Sequence, residues 1–322
     1  MKKKVWGAFC LWITGLLFLA GCGSTFSDEV IARIDGKDVM KSEYMVYLYT
    51  TTESFVSAAG DDVWNMDFDG MSGEELVQER AFSTIQSVAA AENYAAANGI
   101  TLTEEEKTAA HEAAEEFLTR VSEQDLEKMG VDQETLYTLM EESYLYSVVY
   151  DTLAAECEVN QTDMERYYLE HAEEFRNDYT QWTIDTIMVN DAQTAQEVAE
   201  KAKAGEDFTT LFEQYDVDQT AQNSETGGEM TLYQQYLNTM FGLSENLTEG
   251  QITDPIRVGD SYFILKVLSV TEPDEVEVQS MAETAYRQSV QSAYVENRLS
   301  TMINAQEVEK IPEAWENLES FQ

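Results

Sequence analysis

The sequence predicts an α+β fold, mainly helical with one small α/β segment, and three observations lead there. From about residue 40 to 177, apolar side chains recur at helical spacing between capping residues. Near residue 178 the composition changes, and Trp182 to Val189 alternates with β-branched residues, as a strand does. From Glu275 to Ile303 the helical period returns.

The elements follow in order. Val30, Ala32 and Ile34 alternate, then Asp35-Gly36 and Val39 complete a small β-hairpin. Ser42 is expected to cap a helix running to about Ser57. Residues 73–98 form an Ala-rich helix stopped by Asn98-Gly99. Thr103 and Glu106 make a capping box for a helix to about Val121, and another spans about Asp132 to Glu156. Asn160 or Thr162 caps the next, which includes Met164 to His171. After the strand at Trp182–Val189 come an amphipathic helix at Ala192–Ala204, a shorter one at Phe208–Tyr215 and a turn at Thr226-Gly227-Gly228. A short helix around Tyr233–Leu243 precedes strands at Ile256–Val258 and Tyr262–Val270. Glu307–Ile311 is expected to add a last strand.

The first residues set the compartment. Lys2, Lys3 and Lys4 precede an apolar run, Val5 to Ala20, broken only by Thr14 and two glycines. This is the pattern of a secretory signal peptide, and the ending Leu19-Ala20-Gly21-Cys22 resembles the lipobox of bacterial lipoproteins. The resemblance implies cleavage before Cys22 and lipidation of that cysteine. A short transmembrane anchor is the alternative, but the run falls short of the roughly 20 residues a spanning helix needs. The expected place is the extracytoplasmic face of the bacterial cytoplasmic membrane, held there by lipid, where ATP is generally absent.

Charge and cysteine content narrow the functions further. The chain of 322 residues has 19 Lys and Arg against 62 Asp and Glu, a net charge of −43. Loss of residues 1–21 removes three lysines and no acids, leaving 16 minus 62, or −46. Such a surface repels phosphate backbones, so nucleic acid is excluded as a partner, and basic clients or divalent cations are favoured. Of the three cysteines, Cys10 leaves with the signal peptide and Cys22 is the lipid site. Cys157 stands alone, a small buried apolar residue by expectation, so no intrachain disulfide is available to the mature chain.

Several segments together resemble the PrsA/SurA-type foldases, extracytoplasmic chaperones with a parvulin-type peptidyl-prolyl isomerase domain. They are Ile31-Ala-Arg-Ile-Asp-Gly-Lys-Asp-Val39, Val159-Asn-Gln-Thr-Asp-Met-Glu-Arg-Tyr-Tyr-Leu-Glu170, Gly205-Glu-Asp-Phe208, Gly227-Gly228-Glu229, Leu247-Thr-Glu-Gly-Gln-Ile-Thr-Asp-Pro255 and Tyr262-Phe-Ile-Leu-Lys-Val267. The resemblance spans the mature chain. It implies a tether at 22–28, a helical chaperone domain at 29–177, an inserted parvulin-like domain at 178–272, and a C-terminal segment, 273–322, that completes the chaperone domain.

The site residues implied by the resemblance depart from the family pattern. The first-strand His falls at Thr186, within Thr186-Ile-Met-Val189, and the last-strand His at Phe263. A hydroxyl residue usual before that strand falls at Val258. The acidic or thiol position is kept as Asp218. The pair walling the proline pocket is Leu237 with Phe241, or Tyr236 with Met240 in the other register. Isomerisation breaks no bond; it rotates a C–N bond against a barrier of roughly 18–20 kcal/mol from amide resonance. Desolvation and a preference for the twisted state lower that barrier without proton transfer. Loss of both imidazoles therefore points to a weak or inactive isomerase beside a chaperone.

Other constellations carry no comparable chemistry. Asn65-Met-Asp-Phe-Asp-Gly70 begins like a calcium loop, but its twelfth position is Leu76 where a bidentate Glu is needed. His111 and His171 sit among glutamates without a second histidine in zinc-binding spacing. No metal or cofactor is expected. The function expected is a membrane-anchored, ATP-independent foldase for unfolded exported proteins. Alternatives are an active prolyl isomerase, catalysing from the pocket of Asp218, Leu237 and Phe241, and, more remotely, a solute-binding lipoprotein with two α/β lobes.

Overall fold

The structure, a computed structural model, describes residues 28–243, 247–318 and 320–321. Cys22, the expected lipid site, lies outside the described residues, as does the whole signal segment. In chain order the elements are β1 (Val30–Ile34), β2 (Lys37–Met40), α1 (Lys41–Ala59), β3 (Asp67–Phe68), β4 (Met71–Ser72), α2 (Gly73–Asn98), α3 (Glu104–Arg120), α4 (Glu123–Met129), α5 (Gln133–Glu156), α6 (Gln161–Asp178), β5 (Gln181–Val189), α7 (Ala192–Lys203), α8 (Phe208–Tyr215), α9 (Gln219–Gln222), β6 (Met230–Tyr233), α10 (Gln234–Phe241), β7 (Ile256–Val258), β8 (Ser261–Thr271), α11 (Glu275–Asn304), β9 (Val308–Lys310) and α12 (Pro312–Trp315). A 3-10 turn spans Asp61–Asn65. The α+β class expected from the sequence is the one observed.

The described chain divides into two compact units, residues up to Tyr150 together with Leu299 onward, and Asp151–Arg298. In the first, β1 pairs antiparallel with β2 on one side and with β9 on the other, so the last strand of the chain completes a sheet begun by the first. The Asp35-Gly36 turn has both residues at positive φ (51° and 79°), the mirror-image turn whose twist suits a hairpin. Asp69-Gly70 repeats it, at 55° and 92°, between β3 and β4. The segment that begins like a calcium loop is thus a second hairpin, and Asp67 accepts from Gly70 N at 3.0 Å. Tyr44, Met45 and Leu48 of α1, Phe82 and Ile85 of α2, and Leu136 of α5 fill the core against Ile31 and Ile34. Trp315 closes it, its ring 5.1 Å from Tyr44 and 5.2 Å from Phe82.

Two local expectations change. Helix α1 starts at Lys41, with Met40 in the cap position, and Ser42 lies in the first turn. There its hydroxyl and N–H both donate to Asp28, at 2.5 and 3.1 Å, so the serine fixes the chain before the hairpin instead of capping the helix. Between α3 and α5 the sequence makes an unanticipated α4, capped by Ser122 and stopped by Gly130 at φ 65°.

In the second unit a four-stranded antiparallel sheet has the order β6-β5-β8-β7. Alternation along β5 sends its two sets of apolar residues to opposite faces. Ile187 and Val189 pack with Ile264 beneath α7 and α8, around Val198, Phe208 and Leu211. Trp182 and Ile184 pack with Leu265, Val267, Leu237 and Phe241, beneath α10. Strand β6 was not anticipated: Met230-Thr-Leu-Tyr233 alternates, but at four residues it runs straight into α10 and reads as the helix approach. Helix α6 lies by the start of α11, with Arg176 bonded to Glu275 at 2.7 Å and Tyr167 5.3 Å from Tyr286. Cys157 is half-buried, its thiol 3.9 Å from Val290 O.

Candidate functional site

The site forms where β5 outruns β6. The short strand pairs only with Gln181–Ile184, so residues 186–188 seek partners from loops. Thr186 donates twice to Gly228 O, through its N–H at 3.1 Å and its hydroxyl at 3.0 Å. Met188 O accepts from Val217 N at 3.0 Å. Met188 N donates to the Asp216 carboxylate at 2.8 Å, and Asp218 N donates to its other oxygen at 3.0 Å. The loop after α8 and the Gly227-Gly228 turn are thereby laid along the strand as substitute edges.

Gly228 is required by this approach. A Cβ there would stand 2.2 Å from Thr186 O and 3.0 Å from its hydroxyl oxygen. Thr186 is 5% exposed and its hydroxyl proton is committed to a backbone carbonyl, so it offers no free donor to a substrate. Asp216, which the sequence did not single out, is the buried acid of the loop, at 7% exposed. Burial pushes its carboxyl above the ordinary range, against the opposing bonds from Met188 and Asp218. Asp218 is half-buried and caps α9, accepting from Thr220 N at 2.8 Å and Ala221 N at 3.3 Å. The signal for Asp216 was present in Tyr215-Asp-Val-Asp218, but two acids two residues apart do not reveal which one turns inward.

Across the sheet, Phe263 pairs with Met188 on β5 and with Ile256 on β7. Its half-buried ring meets Phe241 edge-on, with centroids 5.5 Å apart at 66°. The two registers of α10 separate by burial. Leu237 is fully buried and Phe241 6% exposed, both in the core under the helix. Tyr236 and Met240 are 51% and 45% exposed on its outer side. Tyr236 continues an aromatic row through Tyr233, at 6.4 Å, to Tyr179, a further 5.6 Å on. Val258 lies opposite Ser261 in the β7–β8 hairpin, so a hydroxyl is present one strand across from the expected position.

The histidines lie elsewhere. His111 on α3 bonds Glu141 at 2.7 Å and stacks on Tyr137 at 4.2 Å. His171 on α6 bonds Glu174 at 2.8 Å. Among the described residues no group of three or more His, Cys, Asp and Glu is placed to hold a metal ion. The sheet face between β5, β8 and α10 therefore offers aromatic and thioether surface with a buried carboxylate at its edge. It carries no imidazole, both described histidines lying on α3 and α6.

The family model described as the PPIC-type PPIASE domain matches residues 159–283. The chain is 22% identical over 328 residues to the foldase protein PrsA of Caldanaerobacter subterraneus subsp. tengcongensis, covering 97% of this chain and 98% of that one. It is 35% identical over 91 residues to foldase protein PrsA 3 of Bacillus anthracis, covering 28% of this chain and 31% of the relative. The crystal structure of foldase protein PrsA from Streptococcus pneumoniae shares 18% identity at a TM-score of 0.47, covering 74% of this chain and 92% of that one. Residues 159–283, which hold the four-stranded sheet, thus match the PPIC-type PPIase domain, and the chain is similar from end to end to a PrsA foldase.

Proposed function

We propose that the chain is a lipid-anchored, ATP-independent foldase of the extracytoplasmic face, whose parvulin-type domain binds client segments with weak or no isomerase activity. The carrying observation is Thr186. At the position of the family's first histidine stands a buried hydroxyl spent on Gly228 O, and Phe263 fills the second position with a ring packed on Phe241. Holding clients then rests on surfaces, with residues 29–177 and 273–322 as the chaperone part and 178–272 as a second binding domain. Anchoring through Cys22 is consistent with the absence, among the described residues, of a helix long and apolar enough to cross a membrane. The helical first unit gives no support to a solute-binding protein of two α/β lobes.

The test measures isomerisation of a prolyl tetrapeptide by the full chain and by its Thr186→His/Phe263→His variant, beside suppression of aggregation of an unfolding client. The expected result is protection from aggregation, with negligible isomerisation by the native chain. Strong native isomerisation would assign catalysis to the pocket edged by Asp216 and Asp218. Absence of protection would overturn the foldase reading.

A further inference from the structure

The segment after β9 is held differently from the rest of the helical unit. Strand β9 is paired with β1, and Ile311 N still donates to Ile31 O at 2.9 Å. From Pro312 to Leu318, among the described residues, the bonded backbone N–H groups donate only within the segment, to carbonyls of residues 311–315. Side chains tie it to the unit instead. Ala314 is buried and Ile311, Trp315, Leu318 and Phe321 pack half-buried on the core, while Pro312, Glu313, Glu316 and Asn317 are exposed. The inward positions advance by three or four residues, the spacing of a short amphipathic segment laid in a groove.

The seat is made of aromatic rings from α1 and α2. Trp315 meets Tyr44 of α1 and Phe82 of α2, with centroids 5.1 and 5.2 Å away. Phe321 meets Tyr49 edge-on at 5.2 Å. Lys128 of α4 holds this end, its ammonium 4.7 Å from the Phe321 ring and bonded to Ser320 O. The space left beside Leu48, Trp64 and Val77 is about 10 Å3, too small for more than one water. At the Trp315 end the fit is incomplete. Tyr44 is 0% exposed, and its hydroxyl has no hydrogen-bond partner. A buried hydroxyl is rarely left unbonded. The indole against it carries a donor and no acceptor, so an occupant bringing a carbonyl to Tyr44 would fill the seat better.

Resting on the foldase reading above, we infer that residues 312–321 are an internal stand-in for a client, seated in a groove of α1, α2 and α4 that also receives apolar client segments. The partner is an unfolded stretch with aromatic or large aliphatic side chains at three- and four-residue steps, and a carbonyl that reaches Tyr44. It enters by displacing 312–321, so its apparent affinity is lowered by the fraction of time that the groove is already filled. The β1–β9 ladder keeps the displaced segment close, and the segment returns when the client leaves. Glu313 and Glu316 face outward, which leaves selection to the apolar positions.

The experiment is fluorescence anisotropy of a labelled peptide of residues 311–321, added in trans to the full chain in mild detergent. The Trp315→Ala/Phe321→Ala chain is expected to bind it at least about tenfold tighter than the native chain, because the competing segment is weakened. The same peptide with both replacements is expected to bind neither chain. A second measurement needs no variant and decides the matter should the double variant not fold. Hydrogen exchange over 312–321 is expected to rise when the native chain is saturated with a neutral peptide of unrelated sequence carrying Leu, Trp and Phe at the same spacing. Exchange over β9 is expected to stay unchanged. Equal peptide binding by the native chain and the folded double variant, or unchanged exchange over 312–321 at saturation, overturns the inference. So does a native dimer that the peptide splits, which would assign the groove to the segment of a second copy. Protection of a client from aggregation is read separately, and the folded double variant is expected to protect better than the native chain. Equal protection by both removes the groove from client binding and leaves the foldase reading standing; protection by neither overturns both.

Discussion

At position 186 a buried hydroxyl directs its proton into the protein. The carbonyl it serves belongs to Gly228, whose backbone passes so close to β5 that no Cβ fits. Gly228→Ala should therefore destabilise the second unit by ~2–4 kcal/mol through forced displacement of the turn from β5. Denaturant unfolding followed by Trp182 fluorescence would show it, and an unchanged midpoint would contradict the close approach. Asp216 shows the same dependence on neighbours. It is an acid by sequence, and it becomes a buried acceptor only because β6 ends early and frees Met188 N.

Among the elements, α10 has the clearest division of labour. Leu237 is sealed beneath it with Trp182, Ile184 and Val267, while Tyr236 and Met240 face outward. Leu237→Ala is expected to cost ~2–5 kcal/mol, and Met240→Ala less than about 0.5 kcal/mol, because only the first opens a cavity. Thermal melts of the two variants decide between the registers: comparable losses would mean that the outer side is packed too. The same helix thus supplies core from one register and accessible thioether and phenol from the other, which suits a surface that binds chains of varied sequence.

For the molecule as a whole, electrostatics sets two opposing trends with pH. Capping carboxylates such as Glu75, Glu106 and Asp191 are held below their usual range by bonds from helix-start residues. Their stabilisation is present above about pH 4.5 and is lost as pH falls. Glu43 and Glu142 act in reverse. Their carboxyls are raised from 4.5 to about 7 and about 8, first by burial and then by repulsion, from Glu92 and Asp28 on Glu43 and from Glu92 and Glu43 on Glu142. The folded chain holds protons there that the unfolded chain has lost, so stability falls as pH climbs from about 4.5 toward 8. Unfolding midpoints should drop between pH 6 and 8.5, and Glu142→Gln should flatten that drop and add ~1–2 kcal/mol at the upper end. An equal slope in the variant would place the repulsion elsewhere in the net charge of −43.

Much of this architecture was decided locally and was legible in the chain. Asp35-Gly36, Ser72 with Glu75, Thr103 with Glu106, and Asn98-Gly99 each fix backbone dihedrals or satisfy orphan N–H groups within a few residues, whatever lies beyond. Helical periodicity and the alternation of Trp182–Val189 likewise require no distant partner to be read. The segments that carried the resemblance were legible for the same reason, being short and continuous in the chain. Other features needed the third dimension. β6 exists because β5 offers it an edge, and Ser42 abandons its cap because Asp28 lies within reach. Asp216 is buried because a loop packs against Met188, and the Glu43, Glu92 and Glu142 carboxylates meet from helices nearly a hundred residues apart. Turns and caps are satisfied by near neighbours, so sequence determines them; burial and the proximity of charges depend on what the folded chain brings from afar, and only tertiary structure decides those.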